Sequence, residues 1–266
     1  MTDKNVPSIN YIIATYSGIS RRREKGDKGM TPLVLQLHLE QLIKLLPSTT
    51  MIKQITITKP KVDIGESYKE YYDIEDKVKV IEEQFEIPVK FIEMNNYATG
   101  VSYSQYRMAF QEFPDFDLYM LMEDDWIPVQ SEFDTLLITE WNKQFTSYDD
   151  NAYLCLWYAS IMKYKTHAAI SVGLISNKAL TELSKWAKMD VQLDQYNFSL
   201  VLQHTTTSIK DFSYHGNNWR VLFWETSKGV IYDFYSNIKD KECLLAPLHF
   251  IMKDKYNYEI VAKTYK

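Results

Sequence analysis

Between residues 11 and 122, short apolar runs alternate with stretches of helical period, and this alternation constrains the fold more than any other feature. Tyr11-Ile12-Ile13-Ala14-Thr15 is β-rich and long enough for one buried strand. It gives way to Tyr16-Ser17-Gly18 and then to a polar stretch holding Arg21, Arg22, Arg23, Gly26 and Gly29. Thr31 and Pro32 suit the N-cap and first position of a helix. Leu35, Leu39, Leu42, Ile43 and Leu46 keep the rhythm of a core-facing helix, and Pro47 closes it. The pattern then predicts a strand over 52–58, a charged helix over 75–85 and a strand over 89–93. A helix from near Gly100 to Phe113 and a strand over 118–122 complete this half. Strands alternating with helices imply a mainly parallel α/β sheet, and ligands of such sheets gather at the carboxyl ends of the strands.

The last of these strands, Leu118-Tyr119-Met120-Leu121-Met122, runs directly into Glu123-Asp124-Asp125-Trp126. Adjacent carboxylates repel one another, and burial makes each costlier to ionise. Such a cluster is tolerated where a cation or hydrogen-bond donors compensate it. Mg²⁺ and Mn²⁺ suit it, being oxygen-seeking ions that leave positions open for substrate phosphates. A solvated acidic loop is the competing account; the position at the end of a wholly apolar strand favours the metal.

Beyond residue 130 the pattern is less regular. It predicts a helix over 131–145, strands over 153–158 and 168–175, and a helix capped by Ser176 with Leu180, Leu183 and Ala187 on one face. After Asp211 come aromatics and short strands. The absence of a repeat or low-complexity linker predicts one domain over 1–266.

Composition narrows the function. The formal charge of −5 argues against a general affinity for nucleic acid, which needs concentrated basic surface. Cys155 and Cys243 fit neither a zinc spacing nor a disulfide framework. The polar start lacks a signal-peptide core, and no apolar run reaches the ~20 residues of a membrane span. A cytoplasmic setting is expected, with docking on a membrane surface left open.

The segment from Leu118 to Pro128, an apolar strand with an acidic triplet and a proline shortly after, resembles the D-x-D motif of GT-A nucleotide-sugar glycosyltransferases, family-2-like. The strand followed by Thr15-Tyr16-Ser17-Gly18 and a helix resembles the start of the same family. The resemblance covers about the first 130 residues and the remainder in outline. It implies a GT-A fold (Rossmann-like, a mainly parallel sheet flanked by helices) and a glycosyltransferase using Mn²⁺ or Mg²⁺. The donor would be a nucleoside-diphosphate sugar, and the acceptor a hydroxyl of a glycan, a lipid-linked sugar or a protein. By the same resemblance Asp125 would be the direct metal ligand, with Glu123 and Asp124 touching the donor ribose or metal-bound water. Glu123 stands where the family more often has Asp. Thr15, Tyr16 and Ser17 would touch the nucleoside, and His249 resembles the late histidine that completes the metal site, with His215 its rival.

Other candidates carry alternatives. Arg21 and its neighbours suit a diphosphate clamp or an ordinary solvated loop. Inverting transfer needs a carboxylate base near the start of a second-half helix; Asp194 sits in a comparable place, with Asp190 one turn earlier, though Asp194 also suits a helix cap. Trp126 and Trp219 could stack on a sugar, a role that competes with core packing. Within the same fold a nucleotidyltransferase is the nearest alternative, but glycines at 26 and 29 match its signature poorly. From other classes stand a metal-dependent phosphohydrolase or nuclease, and a non-catalytic nucleotide-sugar-binding protein.

Overall fold

A computed structural model describes residues 6–15, 34–60, 72–94, 102–124, 126–128, 131–150, 152–155, 158–162, 165–168, 172–186, 209–214, 217–223 and 245–247. Strand β1 (Ile9–Ala14) is buried along its whole length. Helix α1 (Val34–Leu45) lays Leu35, Leu39 and Leu42 against it, each fully buried. Burying one such leucine contributes roughly 1.5–3 kcal/mol, so the stripe outweighs any propensity term. Lys44 complements the dipole in the last turn, and a 3-10 turn (Leu46–Ser48) containing Pro47 ends the helix.

Strand β2 (Ile52–Pro60) alternates cleanly. Ile55 and Ile57 face the core shared with α1, whereas Gln54, Thr56 and Thr58 are buried polar residues between them. Helix α2 (Glu75–Phe85) carries Glu75 and Asp76 in its first turn and stops at Glu86, whose φ of 56° is left-handed. Pro88 then leads into the edge strand β3 (Val89–Met94). Helix α3 (Ser102–Glu112) precedes β4 (Leu118–Glu123), buried from Leu118 to Met122. The strand and helix positions expected over the first 123 residues therefore stand, with ends shifted by a few residues.

After β4 come β5 (Trp126–Pro128), α4 (Phe133–Gln144) and β6 (Ala152–Cys155). Strands β7 (Tyr158–Met162) and β8 (Lys165–Ala168) follow, then β9 (Gly173–Ser176) and α5 (Asn177–Trp186). Last are β10 (Ile209–Tyr214), β11 (Asn217–Phe223) and β12 (Leu245–Pro247). The main sheet has the order β10-β11-β6-β9-β4-β1-β2-β3, so strands from both halves of the chain join one sheet. Pairings β1–β2, β2–β3, β1–β4 and β11–β6 are parallel. Pairings β4–β9, β6–β9 and β10–β11 are antiparallel, and the sheet is accordingly mixed. The fold is α/β, with a parallel block of four strands carrying the amino-terminal half.

Two expected strands are each divided. The run over 153–158 splits into β6, which lies in the main sheet, and β7, which pairs with β8 outside it. The run over 168–175 likewise splits into β8 and β9. Apolar and aromatic residues continue across both breaks, so hydropathy gives no sign of the change of partner. Ser176 does cap α5: its Oγ accepts the Ala179 N–H at 3.1 Å. The expected helix start at Thr31 and Pro32, and Ala187, lie outside the described residues.

One core cluster lies on the α1 face of the sheet. It joins Ile9, Tyr11 and Ile13 to Leu118, Met120 and Met122, with Phe133, Leu137 and Trp141 of α4. Packing on β9 is equally tight: a Cβ on Gly173 would overlap the ring of Tyr153, whose hydroxyl donates to the Val172 carbonyl at 3.0 Å. Gly173→Ala is expected to lower unfolding free energy by about 2 kcal/mol, the cost of overpacking a filled core. Urea unfolding measures this, and pairing it with Tyr153→Leu should restore part of the loss.

Candidate functional site

The acidic turn is positioned by register. Ala14 at the end of β1 lies opposite Glu123 at the end of β4 and opposite Thr58 of β2, which runs two residues further to Pro60. The pairing extends one step further, because the Asp124 N–H donates to the Ala14 carbonyl at 3.0 Å. The chain runs from β1 outward through β2 and β3, then crosses to β4 on the other side of β1. The β1–β4 junction is thus a topological switch point, the place where ligands of open α/β sheets gather. Thr15 and Glu123-Asp124 lie at that junction.

Thr15 is fully buried and held on every side. Its N–H donates to Gln105 Oε1 at 2.9 Å, and its carbonyl accepts from Gln105 Nε2 at 3.0 Å. A single side chain of α3 thereby takes the place of a strand partner where β1 gives out. The Thr15 hydroxyl donates to the Thr58 carbonyl and lies 2.8 Å from the Tyr72 hydroxyl. Thr58 Oγ1 in turn meets Gln105 Oε1 and lies 3.1 Å from the Ile13 carbonyl. The site residue expected to touch a nucleoside is therefore a fixed pivot from which the following loop departs. Nearby, Lys59 Nζ sits 5.0 Å from the centre of the Tyr72 ring and 4.2 Å from that of Phe91.

On the β4 side of the junction, Glu123 is half-buried and Asp124 only 4% exposed. The Asp124 carbonyl lies 3.1 Å from Nδ1 of His38, a fully buried residue of α1. His38 Nε2 lies 2.8 Å from the hydroxyl of Tyr11, also fully buried, and the two rings meet edge to face at 5.8 Å. A carbonyl only accepts, so Nδ1 carries the proton. Burial holds the Tyr11 phenol well above its ordinary range, so Tyr11 keeps its proton and donates it to Nε2. The result is a buried chain, Tyr11 O–H to His38 to the Asp124 carbonyl, from β1 through α1 to the turn.

Trp126 is 4% exposed and belongs to the core cluster, where it anchors the residue after the turn. β5 pairs antiparallel with β12, which sets Pro247 opposite Trp126. The described pairing thus stops two residues before His249 and one after Asp125. Tyr16, Ser17, Arg21, Asp125, Asp190, Asp194, His215 and His249 lie outside the described residues, and of Trp219 only its place on β11 is described. Among the described residues no three His, Cys, Asp or Glu side chains gather as a metal-holding group, and no helix is long and apolar enough to cross a membrane. The carboxylate chemistry of Glu123 and Asp124 still fits Mg²⁺ or Mn²⁺, which bind through one or two carboxylates together with substrate phosphates.

Sequence reasoning passed over Gln105, Thr58 and Tyr72, whose partners are distant in the chain. His38, within the first helix, reads from the sequence as structural; it falls on the apolar stripe between Leu35 and Leu42, where a polar side chain is buried and must find partners.

No family model and no curated protein sequence matches the chain. Several solved structures are similar to it in fold. Staphylococcus aureus TarS 1–349 is 9% identical, with 87% of this chain and 63% of that one covered and a TM-score of 0.42. GalNAc-T7 with UDP, GalNAc and Mn²⁺ is 9% identical, with 98% and 58% covered and a TM-score of 0.44. The inositol-1-phosphate CTP transferase from T. maritima is 9% identical, with 98% and 97% covered and a TM-score of 0.48. The chain spans less than two thirds of the length of TarS (63%) and of Streptococcus pneumoniae GlyE (60%).

Proposed function

We propose that this chain is a metal-dependent glycosyltransferase that moves a sugar from a nucleoside-diphosphate donor to a hydroxyl acceptor, with inversion. The observation that carries the proposal is the position of the carboxylates. Glu123 and Asp124 end β4 at the switch point beside β1, level with Thr15 and Thr58. A strand end at such a switch point suits a phosphorylated ligand, and paired carboxylates there suit the cation that accompanies a diphosphate.

Asp125 is proposed as metal ligand, with Glu123 beside it and His249 completing the set. The β12–β5 pairing supports His249 over His215: chain geometry keeps its Cα within ~7 Å of that of Pro247, and the Asp125 Cα ~3.8 Å from that of Trp126. When bound, Mn²⁺ or Mg²⁺ would offset the negative charge that develops on the departing diphosphate. The loop leaving the Thr15 pivot, with Tyr16 and Ser17, is proposed to cradle the nucleoside, and Arg21 to pair with phosphate oxygens. Asp124 is proposed to orient the donor ribose. Asp194, with Asp190 as the nearby alternative, is proposed to take the acceptor hydroxyl proton as its oxygen attacks the anomeric carbon. The bond to the diphosphate oxygen breaks in the same step, which inverts the centre. Trp219 is proposed to pack on acceptor sugar, while Trp126, spent on the core, buttresses the turn. Residues 1–130 then serve the donor and 131–266 the acceptor.

Incubation with a panel of nucleoside-diphosphate sugars, with release of nucleoside diphosphate as readout, tests this. Release from one donor, dependent on Mn²⁺ or Mg²⁺ and stopped by chelator, is expected. Binding without release from any donor would reassign the chain as a nucleotide-sugar-binding protein.

A further inference from the structure

We propose that His38 is a positioning residue of the acidic turn, and that through the Tyr11–His38–Asp124 chain it sets the metal affinity of that turn. The inference rests on the reading of Glu123 to Asp125 as the metal-bearing segment.

Three observations carry it. First, the bond from His38 goes to the backbone of Asp124 and not to a carboxylate, so it fixes the path of the chain without spending a ligand oxygen. Second, among the described residues the pairing of β4 with β1 reaches as far as the Asp124 N–H on Ala14. The carbonyl of the same residue lies 3.1 Å from His38 Nδ1 on α1. The turn is thus held by a strand on one side of Asp124 and by a helix on the other. Third, His38 cannot choose its own orientation. Its Nε2 accepts from Tyr11, whose ring is packed edge to face on both His38 and Phe133. That bond leaves Nδ1–H as the donor facing the turn. Outer partners of this kind orient the groups that touch a metal, and their loss typically weakens binding about 10–100-fold.

Asn and Gln separate this role from space filling. The amide nitrogen of Asn falls near Nδ1 of histidine and can still donate to the Asp124 carbonyl. That of Gln falls near Nε2 and keeps only the Tyr11 side. Mn²⁺ is titrated into the full chain and followed by electron paramagnetic resonance, with circular dichroism confirming the fold. His38→Leu and His38→Gln should weaken Mn²⁺ binding by about 10-fold or more, His38→Asn by about threefold, and Tyr11→Phe by roughly 3–10-fold. A purely structural histidine would rank Gln above Asn, being closer in volume, and would leave Mn²⁺ affinity of the folded protein unchanged. Should His38→Leu not fold, Tyr11→Phe and the Asn–Gln order decide. Variants that bind Mn²⁺ within twofold of wild type, while Asp125→Ala does not, overturn this inference and leave the metal site standing. Wild-type protein that binds no Mn²⁺ overturns both.

Discussion

Asp125→Ala is expected to lower metal-dependent release of nucleoside diphosphate from the preferred donor by about a thousandfold, on the order of 4 kcal/mol of transition-state stabilisation. The physical basis is charge. On the proposed reaction a departing diphosphate would gather negative charge at the end of β4, next to Glu123 and Asp124, which without a cation would repel it. Removing the proposed ligand should therefore cost most when the bond is breaking, so kcat should fall, and KM should rise with it because the same cation holds the donor diphosphate before the bond breaks. Stability should move the other way or not at all. One carboxylate fewer in a run of three relieves repulsion, so the ligand-free melting temperature should be unchanged or slightly higher. Turnover kinetics with calorimetry on the same samples separates the effects. Activity within about tenfold of wild type would remove Asp125 from the metal set.

Asp134→Ala is expected to do the reverse, destabilising the fold by about 3 kcal/mol and leaving donor affinity of the folded protein intact. Asp134 is fully buried in the first turn of α4. Its Oδ2 accepts the N–H groups of Thr50 at 2.8 Å and Met51 at 2.9 Å, and Oδ1 accepts the Thr135 N–H at 2.8 Å. Met51 passes the tie on, because its carbonyl accepts the Ile9 N–H at 2.9 Å where β1 begins. One carboxylate therefore joins α4 to the starts of β2 and β1. Alanine would leave the Thr50 and Met51 donors without their acceptor in a partly buried place, costing about 1–3 kcal/mol for each group left unsatisfied. For a chain of this size the melting temperature should fall by roughly 6–12 °C. Asp134→Asn, which keeps one acceptor oxygen, should lose about half as much. A loss under about 1 kcal/mol in urea unfolding would show that water or a shifted loop replaces the carboxylate. Because these bonds gather at the opposite end of the strands from Glu123, the defect should not reach the acidic turn.

The difference between these two aspartates marks what was legible in the sequence. Asp125 stands out because three carboxylates end a run of five apolar residues, an abrupt change that a single chain displays on its own. Asp134 sits in an ordinary helical pattern, and its partners are 83 and 84 residues away. The same holds for Gln105, which reaches Thr15 across 90 residues, and for the His38 bond to Asp124 across 86. Local period fixes which residues face the core, not which buried polar group meets which. The parallel block was readable because Pro47, Pro88 and Pro114 punctuate it and its helices keep a clear stripe. The insertion of β9 antiparallel between β4 and β6 was not, since strand order is a tertiary choice that no hydropathy period records.

The most direct test of the central claim is the melting temperature of the full chain with a series of nucleoside diphosphates, with Mn²⁺, with Mg²⁺ and with chelator. One nucleoside diphosphate at about 100 times its Kd should stabilise the fold by about 2.7 kcal/mol. The account predicts that this rise appears only with the metal and disappears in Asp125→Ala. No rise with any nucleotide in folded protein, or a rise that chelator leaves untouched, would contradict it.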